Sequence, residues 1–336
     1  MKLQSSGERM LNYLRLSVTD RCNLRCRYCI PAEGIQPLPR ADLLSFEEIL
    51  RAVELLSALG VTKVRITGGE PLVRKEVTRL VAGLKRIPGL REVVMTTNGQ
   101  LLEKFAQPLR DAGLDRLNLS LDTLNPDRYQ QVTGGGNLSR FWRGVRAAEA
   151  AGFSNLKFNC VVMQGFNDDE LGDLALLARD QPWQIRFIEY MPMAGQAESW
   201  AARYLPSGKI EAEALRQAVA SSGSDLLAAR WTPAGFSGTA RIVKPAGFRG
   251  SIGFISPLGA HFCHSCNRLR LSSDGRLHAC LLEEGSVDLR ALLRDGADDA
   301  AIRSRMREAA ALKPERHGVA GLDGPGAAQP MSRVGG

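Results

Sequence analysis

Tyr13-Leu14-Arg15-Leu16-Ser17-Val18-Thr19-Asp20-Arg21-Cys22-Asn23-Leu24-Arg25-Cys26-Arg27-Tyr28-Cys29 is the stretch that decides the reading of this chain. Its first half, Tyr13–Thr19, reads as a β-strand, and its second half opens where a βα loop would leave the sheet. Cys22-x3-Cys26-x2-Cys29 offers three thiolates, enough for three irons of a cubane, with the fourth iron left to an outside ligand. Zinc is the structural alternative, but it takes four ligands and usually shows paired cysteines. No fourth Cys or His lies nearby.

Outward from that stretch, short β-branched runs alternate with helical stretches as far as Tyr190. The next predicted strands are Lys63–Thr67, Glu92–Thr96, Arg116–Ser120, Leu156–Met163 and Ile185–Ile188. Between them lie predicted amphipathic helices at Phe46–Leu59, Arg74–Arg86, Leu101–Ala112, Leu138–Ala151 and Asp168–Arg179, with Ser45 and Asn167 as capping residues. Six strands separated by helices imply a parallel sheet of βα units. The count is too low for a closed eight-stranded barrel, so the expected fold class is α/β, an incomplete, open βα barrel.

After Pro206 the pattern changes. Lys209–Ala220 reads as a helix and Trp231–Ala279 as short strands and turns. Ser273-Asp274-Gly275-Arg276 predicts a hairpin, because Asp-Gly supplies the positive φ angles of a tight turn. A helical region, Asp288–Leu312, leads into Gly- and Ala-rich Gly318–Pro330 and the end Val334-Gly335-Gly336. The expected organisation is a partial barrel over 1–206, a smaller α+β cover over 207–317 and a flexible tail over 318–336.

Composition narrows the class. Hydrophobic residues make up 44% and charged residues 24%, values of a globular protein rather than a disordered one. No apolar run is long enough to span a bilayer and no signal-peptide core follows Met1, so a cytoplasmic protein without a membrane partner is expected. The net charge of +8 comes mainly from arginine, which reads either as a solvated basic surface or as guanidiniums that clamp a polyphosphate or carboxylate bidentately; net charge alone does not choose. No basic tail argues for nucleic acid.

Six of the seven cysteines cluster: Cys22, Cys26 and Cys29, then Cys263, Cys266 and Cys280. In a cytosolic protein such sets read as metal or cluster ligands before disulfides. Cys160, alone in an apolar stretch, reads as a buried thiol. The second trio straddles the predicted hairpin. On its residues alone, a zinc site completed by His261, His264 or His278 stays open beside an iron–sulfur cluster.

Thr67-Gly68-Gly69-Glu70-Pro71 follows the second predicted strand, and glycines there let backbone approach a ligand closely. With the first cysteine loop it resembles the radical S-adenosylmethionine (SAM) superfamily, whose open iron is chelated by SAM. The resemblance implies that an electron from the cluster cleaves SAM to methionine and a 5′-deoxyadenosyl radical. Further segments narrow it. Gly253-Phe254-Ile255-Ser256-Pro257, His261-Phe262-Cys263, Cys266-Asn267-Arg268-Leu269-Arg270 and Arg186-Phe187-Ile188-Glu189-Tyr190-Met191-Pro192 are similar to the GTP 3′,8-cyclase family of molybdenum-cofactor biosynthesis, as is the terminal Gly-Gly.

That resemblance implies two [4Fe–4S] clusters, on Cys22, Cys26 and Cys29 and on Cys263, Cys266 and Cys280. It implies SAM at Tyr28, Gly69, Ser120 and Met191, and GTP at Arg15, Arg65, Thr96, Lys157, Arg268, Leu269 and Arg270. Arg268, Arg270, Gly335 and Gly336 are the expected catalytic positions. GTP and SAM would bind between the clusters, with the guanine end on the second. An electron donor and a following enzyme that takes the product are the expected partners. Gly238-Thr239-Ala240, Pro245 and Cys160 depart from the family pattern and put only local loop shape in doubt. The rival classes are another twin-cluster radical SAM enzyme, such as a peptide modifier, and a zinc or redox regulatory protein.

Overall fold

The computed structural model describes residues 2–31, 33–193, 201–222, 232–283, 285–318 and 331–335. All six predicted strands form: β1 (Tyr13–Ser17), β2 (Lys63–Thr67), β3 (Glu92–Thr97), β4 (Arg116–Ser120), β5 (Lys157–Val162) and β6 (Gln184–Glu189). Between them run α1 (Phe46–Ala58), α2 (Val77–Lys85), α3 (Leu102–Asp111), α4 (Pro126–Thr133), α5 (Leu138–Ala150) and α6 (Leu171–Asp180).

Local chemistry explains most boundaries. Ser45 and Glu48 form a reciprocal capping box at the start of α1, with bonds of 3.1 and 2.7 Å. Helix α2 starts three residues later than expected, because Pro71–Val73 makes a separate 3-10 turn and Glu76 adopts φ +58°. Helix α4 was not foreseen, although Asn125 caps it, Pro126 opens it and Gly134 closes it in the left-handed region. Asn167 is not a helix cap. Its side chain donates to the carbonyls of Asp122 (2.7 Å) and Val161 (3.0 Å) and accepts from the Met163 amide (2.8 Å), bracing two loops.

The chain beyond 206 gives α7 (Ser207–Ser222), β7 (Thr232–Ser237), β8 (Ala240–Lys244), β9 (Ser251–Ile255), β10 (Arg268–Leu271), β11 (Arg276–His278), β12 (Ser286–Asp288), α8 (Leu289–Arg294), α9 (Asp299–Ala311) and the short α10 (Met331–Val334). The hairpin at Asp274-Gly275 forms, but only Gly275 takes a positive φ, +85°; Asp274 does not, and the turn closes by the Gly275 amide donating to the Ser272 carbonyl at 3.0 Å. These later strands join the same sheet. β9 lies parallel to β6 at one edge and β10 parallel to β1 at the other. The parallel run therefore holds eight strands rather than the six expected, in a sheet ordered β12-β11-β10-β1-β2-β3-β4-β5-β6-β9-β8-β7. Antiparallel pairs β7–β8 and β11–β12 end it on both sides, so the described sheet stays open.

Strand alternation sorts the two faces. Leu14, Leu16, Val64, Ile66, Leu117 and Leu119 are completely buried in one apolar cluster with the helices. Each such side chain contributes about 1.5–3 kcal/mol. Their neighbours Arg15, Arg65 and Asn118 face a single inner cavity instead. A packed barrel interior is usually Val, Ile and Leu; this one is polar, and space for a ligand remains.

Candidate active site

The two cysteine trios lie at opposite ends of the parallel strands. Cys22, Cys26 and Cys29 follow the C-terminal end of β1, whereas Cys266 precedes the N-terminal end of β10 and Cys280 follows its antiparallel neighbour β11. The segment 256–267, which crosses from the β9 edge to the β10 edge, carries Cys263 and Cys266. All seven cysteines are free thiols.

Around the first trio the backbone folds back tightly. The amides of Cys29 and Ile30 both donate to the Cys26 carbonyl at 2.9 and 3.0 Å, and the Leu24 amide points at the Cys22 sulfur at 3.4 Å. Gly69 packs so closely on this loop that a Cβ there would lie 2.4 Å from the Arg21 carbonyl oxygen. Glu70, fully buried, ties the loop to the β3 side by accepting from Thr97 Oγ1 (2.7 Å) and the Asn98 amide (2.8 Å). Burial lifts the Cys22 thiol to about 11 and, helped by the neighbouring Cys29, lifts Cys26 well above the usual thiol range. Iron would supply the positive charge these thiolates lack.

The second trio has its own cations. Burial alone would raise the Cys266 thiol, but Arg268 and Lys313 more than offset it and bring it down to about 6. Among the described residues no three His, Cys, Asp or Glu side chains converge as one metal ion requires. Thiolates on separate irons of a cluster have no such need, whereas sulfurs sharing one zinc at about 2.3 Å must crowd together. Both trios fit a cluster better than a mononuclear ion.

Between the ends runs the cavity. Its described lining carries nine Lys and Arg side chains and no Asp or Glu. Arg15, Arg65, Lys157, Arg268 and Arg270, all singled out in the sequence, line it, as does Thr96, which accepts from Arg65 Nη1 at 3.0 Å. Burial and the surrounding Arg186, Arg116, Arg65 and Lys63 hold Lys157 down at about 7. Burial raises the Tyr13 phenol, but Arg65, Arg15 and Lys63 outweigh it and draw it down to about 8. Such mutual repulsion among cations marks a wall built for an anion that carries several charges.

Tyr28, Ser120 and Met191 line the same cavity toward the C-terminal strand ends. The cationic positions lie at the starts and middles of their strands. Gly69 is not in the cavity lining, and its place is against the cysteine loop. Leu269 is fully buried on the opposite face, so only its main chain faces the neighbours of Arg268 and Arg270. Gly238 and Thr239 line the cavity, so that departure from the family pattern touches the wall of the site.

The tail enters the barrel. The Gly335 carbonyl accepts from Arg15 Nε at 3.1 Å and from the Arg270 guanidinium. Gly335 has φ +75°, and a Cβ would lie 2.3 Å from Thr67 Oγ1. Gly336, and 319–330 of the expected flexible tail, lie outside the described residues.

Several residues escaped the sequence reading. Asp122 meets the Tyr28 hydroxyl and accepts from the Val161 amide at 2.9 Å; burial pushes its carboxyl up to about 6. Glu189, fully buried, accepts from the amides of Ser207 (2.8 Å), Leu258 and Gly259 (3.0 Å each), fixing the start of the segment that carries Cys263. Glu189 and Arg186 both lay inside a quoted motif. Nothing but position distinguished them there.

A parallel βα sheet with a three-cysteine loop after its first strand defines the radical SAM class, and the radical SAM superfamily model matches residues 16–178. A second model, Molybdenum Cofactor Synthesis C, matches 183–319. GTP 3′,8-cyclase of Pelotomaculum thermopropionicum is 45% identical over 99% of this chain and 100% of its own length. That of Moorella thermoacetica is 44% identical, again over 99% of this chain and 100% of its own. The chain belongs to the GTP 3′,8-cyclase family. Among solved structures, Streptococcus suis SuiB bound to S-adenosylmethionine has a TM-score of 0.54 at 15% identity, over 87% of this chain and 68% of SuiB. That likeness is one of fold. No described helix is long and apolar enough to cross a membrane.

Proposed function

We propose that this chain converts GTP to (8S)-3′,8-cyclo-7,8-dihydroguanosine 5′-triphosphate, the first step of molybdenum-cofactor biosynthesis. The observation that carries this reading is a cavity whose described lining has nine Lys and Arg side chains and no Asp or Glu, set between two cysteine trios. Cys22, Cys26 and Cys29 would hold the first [4Fe–4S] cluster, which with SAM would supply a hydrogen-abstracting radical, and Cys263, Cys266 and Cys280 would hold the second, which would supply a Lewis acid for the guanine end. In the substrate, the ribose C3′–H bond is exchanged for a C3′–C8 bond, and one electron and one proton are added.

The chain's own residues bind and orient. Arg15, Arg65, Lys157, Arg268 and Arg270 neutralise the triphosphate, and Thr96 steers Arg65 by its hydrogen bond. Tyr28, positioned by Asp122, meets SAM together with Ser120 and Met191 at the other end. The Gly335 carbonyl, held by Arg15 and Arg270, closes the space beside the reacting ribose and keeps water from the radical. A one-electron donor and an enzyme that consumes the product complete the reading.

The test is anaerobic turnover with SAM, a reductant and GTP deuterated at C3′. Atom balance makes the product an isomer of GTP, separable by chromatography, and places the deuterium in 5′-deoxyadenosine. SAM cleavage without deuterium transfer would refute the assignment.

A further inference from the structure

The second cysteine trio is carried on two stretches of main chain, the turn of Cys263 and Cys266 that leads into β10 and the end of β11 before Cys280, and both have carbonyls held by cations. Lys313 Nζ donates to the Arg268 carbonyl at 2.9 Å and to the Ala279 carbonyl at 2.8 Å. Those carbonyls sit two residues after Cys266 and one before Cys280. The first of these stretches is also held from near the start of the chain: the Arg9 guanidinium donates to the carbonyl of Cys263 itself. The same guanidinium donates to the Pro314 carbonyl at 2.5 Å, next to Lys313, so the two cations and the two stretches form one unit.

Lys313 is 3% exposed, and its ammonium also meets the Cys266 side chain. Packing does not call for such a group: an apolar side chain of similar length would fill the space without the cost of burying a charge. A cluster held by three thiolates carries a net negative charge and needs its ligand loops fixed before iron arrives, because outer hydrogen bonds orient ligands and tune the site.

We propose that Arg9 and Lys313 are positioning residues of the second cluster, a two-cation clamp that holds the two stretches bearing Cys263, Cys266 and Cys280 in register. The inference rests on the reading above that this trio holds a [4Fe–4S] cluster. It makes residues near the N-terminus and the turn after α9 part of the cluster site, although neither supplies a ligand.

The experiment isolates the second cluster by working in a Cys26→Ala background, reconstituted anaerobically. Iron release to a ferrous chelator and the electron paramagnetic resonance signal of the reduced cluster are followed with and without Lys313→Met. The substitution is expected to speed iron loss about ten- to a hundredfold, the scale typical of outer-shell partners, and to alter the signal. Arg9→Met, on the opposite side of the clamp and half-exposed, should do the same more weakly. In a Cys263→Ala background, which leaves only the first cluster, Lys313→Met should change nothing; a general loss of folding would change both. Equal release rates with and without both substitutions would overturn the clamp. A Cys26→Ala parent without any cluster signal would overturn the second-cluster reading itself, and the clamp with it.

Discussion

Lys157 shows how much a single residue's role depends on what surrounds it. In the sequence it is one lysine opening a strand; in the fold it faces Arg186, Arg116, Arg65 and Lys63 across one cavity. Lys157→Ala is expected to weaken GTP binding by ~1.5–3 kcal/mol, the worth of a hydrogen bond to a charged group. SAM binding, measured separately, should hardly change, since Tyr28, Ser120 and Met191 lie toward the other end. Equal loss of both ligands would mark Lys157 as structural. Cys26→Ala should abolish SAM cleavage and leave the second cluster's paramagnetic signal; undiminished cleavage would refute the first-cluster assignment. The cysteines were legible at this scale because their spacing is local. Lys313, Arg9 and Glu189 were not, since each acts through main-chain groups far away in sequence, and no spacing announces that.

Among the elements, the strands of the βα units were legible to within a residue or so, whereas α2 and α6 begin three residues later than the pattern implied and α4 was missed. The strands pair in sequence order, and α1, α4 and α5 begin on local caps, Ser45, Asn125 and Asn137. What escaped was the pairing of β9 with β6 and of β10 with β1, because composition within a strand does not say which edge it will join. The tail was ambiguous for a similar reason: Gly335-Gly336 reads equally as a loose end or as backbone small enough for a crowded site. The Gly335 carbonyl on Arg15 and Arg270 favours the second. Deleting Gly335 and Gly336 should leave iron content and melting temperature intact while cyclised product disappears and uncoupled SAM cleavage continues. Gly335→Ala should act alike, because its Cβ would strike Thr67 Oγ1 and its φ is positive. Wild-type product yield from either variant would show that the tail has no part in the reaction.

For the whole molecule, the open sheet curls cations from both ends of the chain's sequence around one space, and their mutual repulsion makes substrate binding proton-linked. Without ligand, Lys157 is held down at about 7 and the Tyr13 phenol at about 8. At pH 8, then, roughly nine-tenths of Lys157 is neutral and roughly half of Tyr13 is ionised. A polyphosphate arriving beside them favours the ammonium and disfavours the phenolate, so both pKa values rise on binding and both groups take up a proton. Affinity should therefore fall as pH rises above about 6, and GTP binding at pH 8 should consume on the order of one proton. Well below pH 6 both groups are already protonated, and the linkage from them vanishes. Calorimetric titration of GTP in buffers of different ionisation enthalpy measures the uptake directly. Lys157→Gln should remove the larger share and Tyr13→Phe the smaller. Uptake near zero at pH 8 in the wild-type chain would mean that the triphosphate does not lie against this wall.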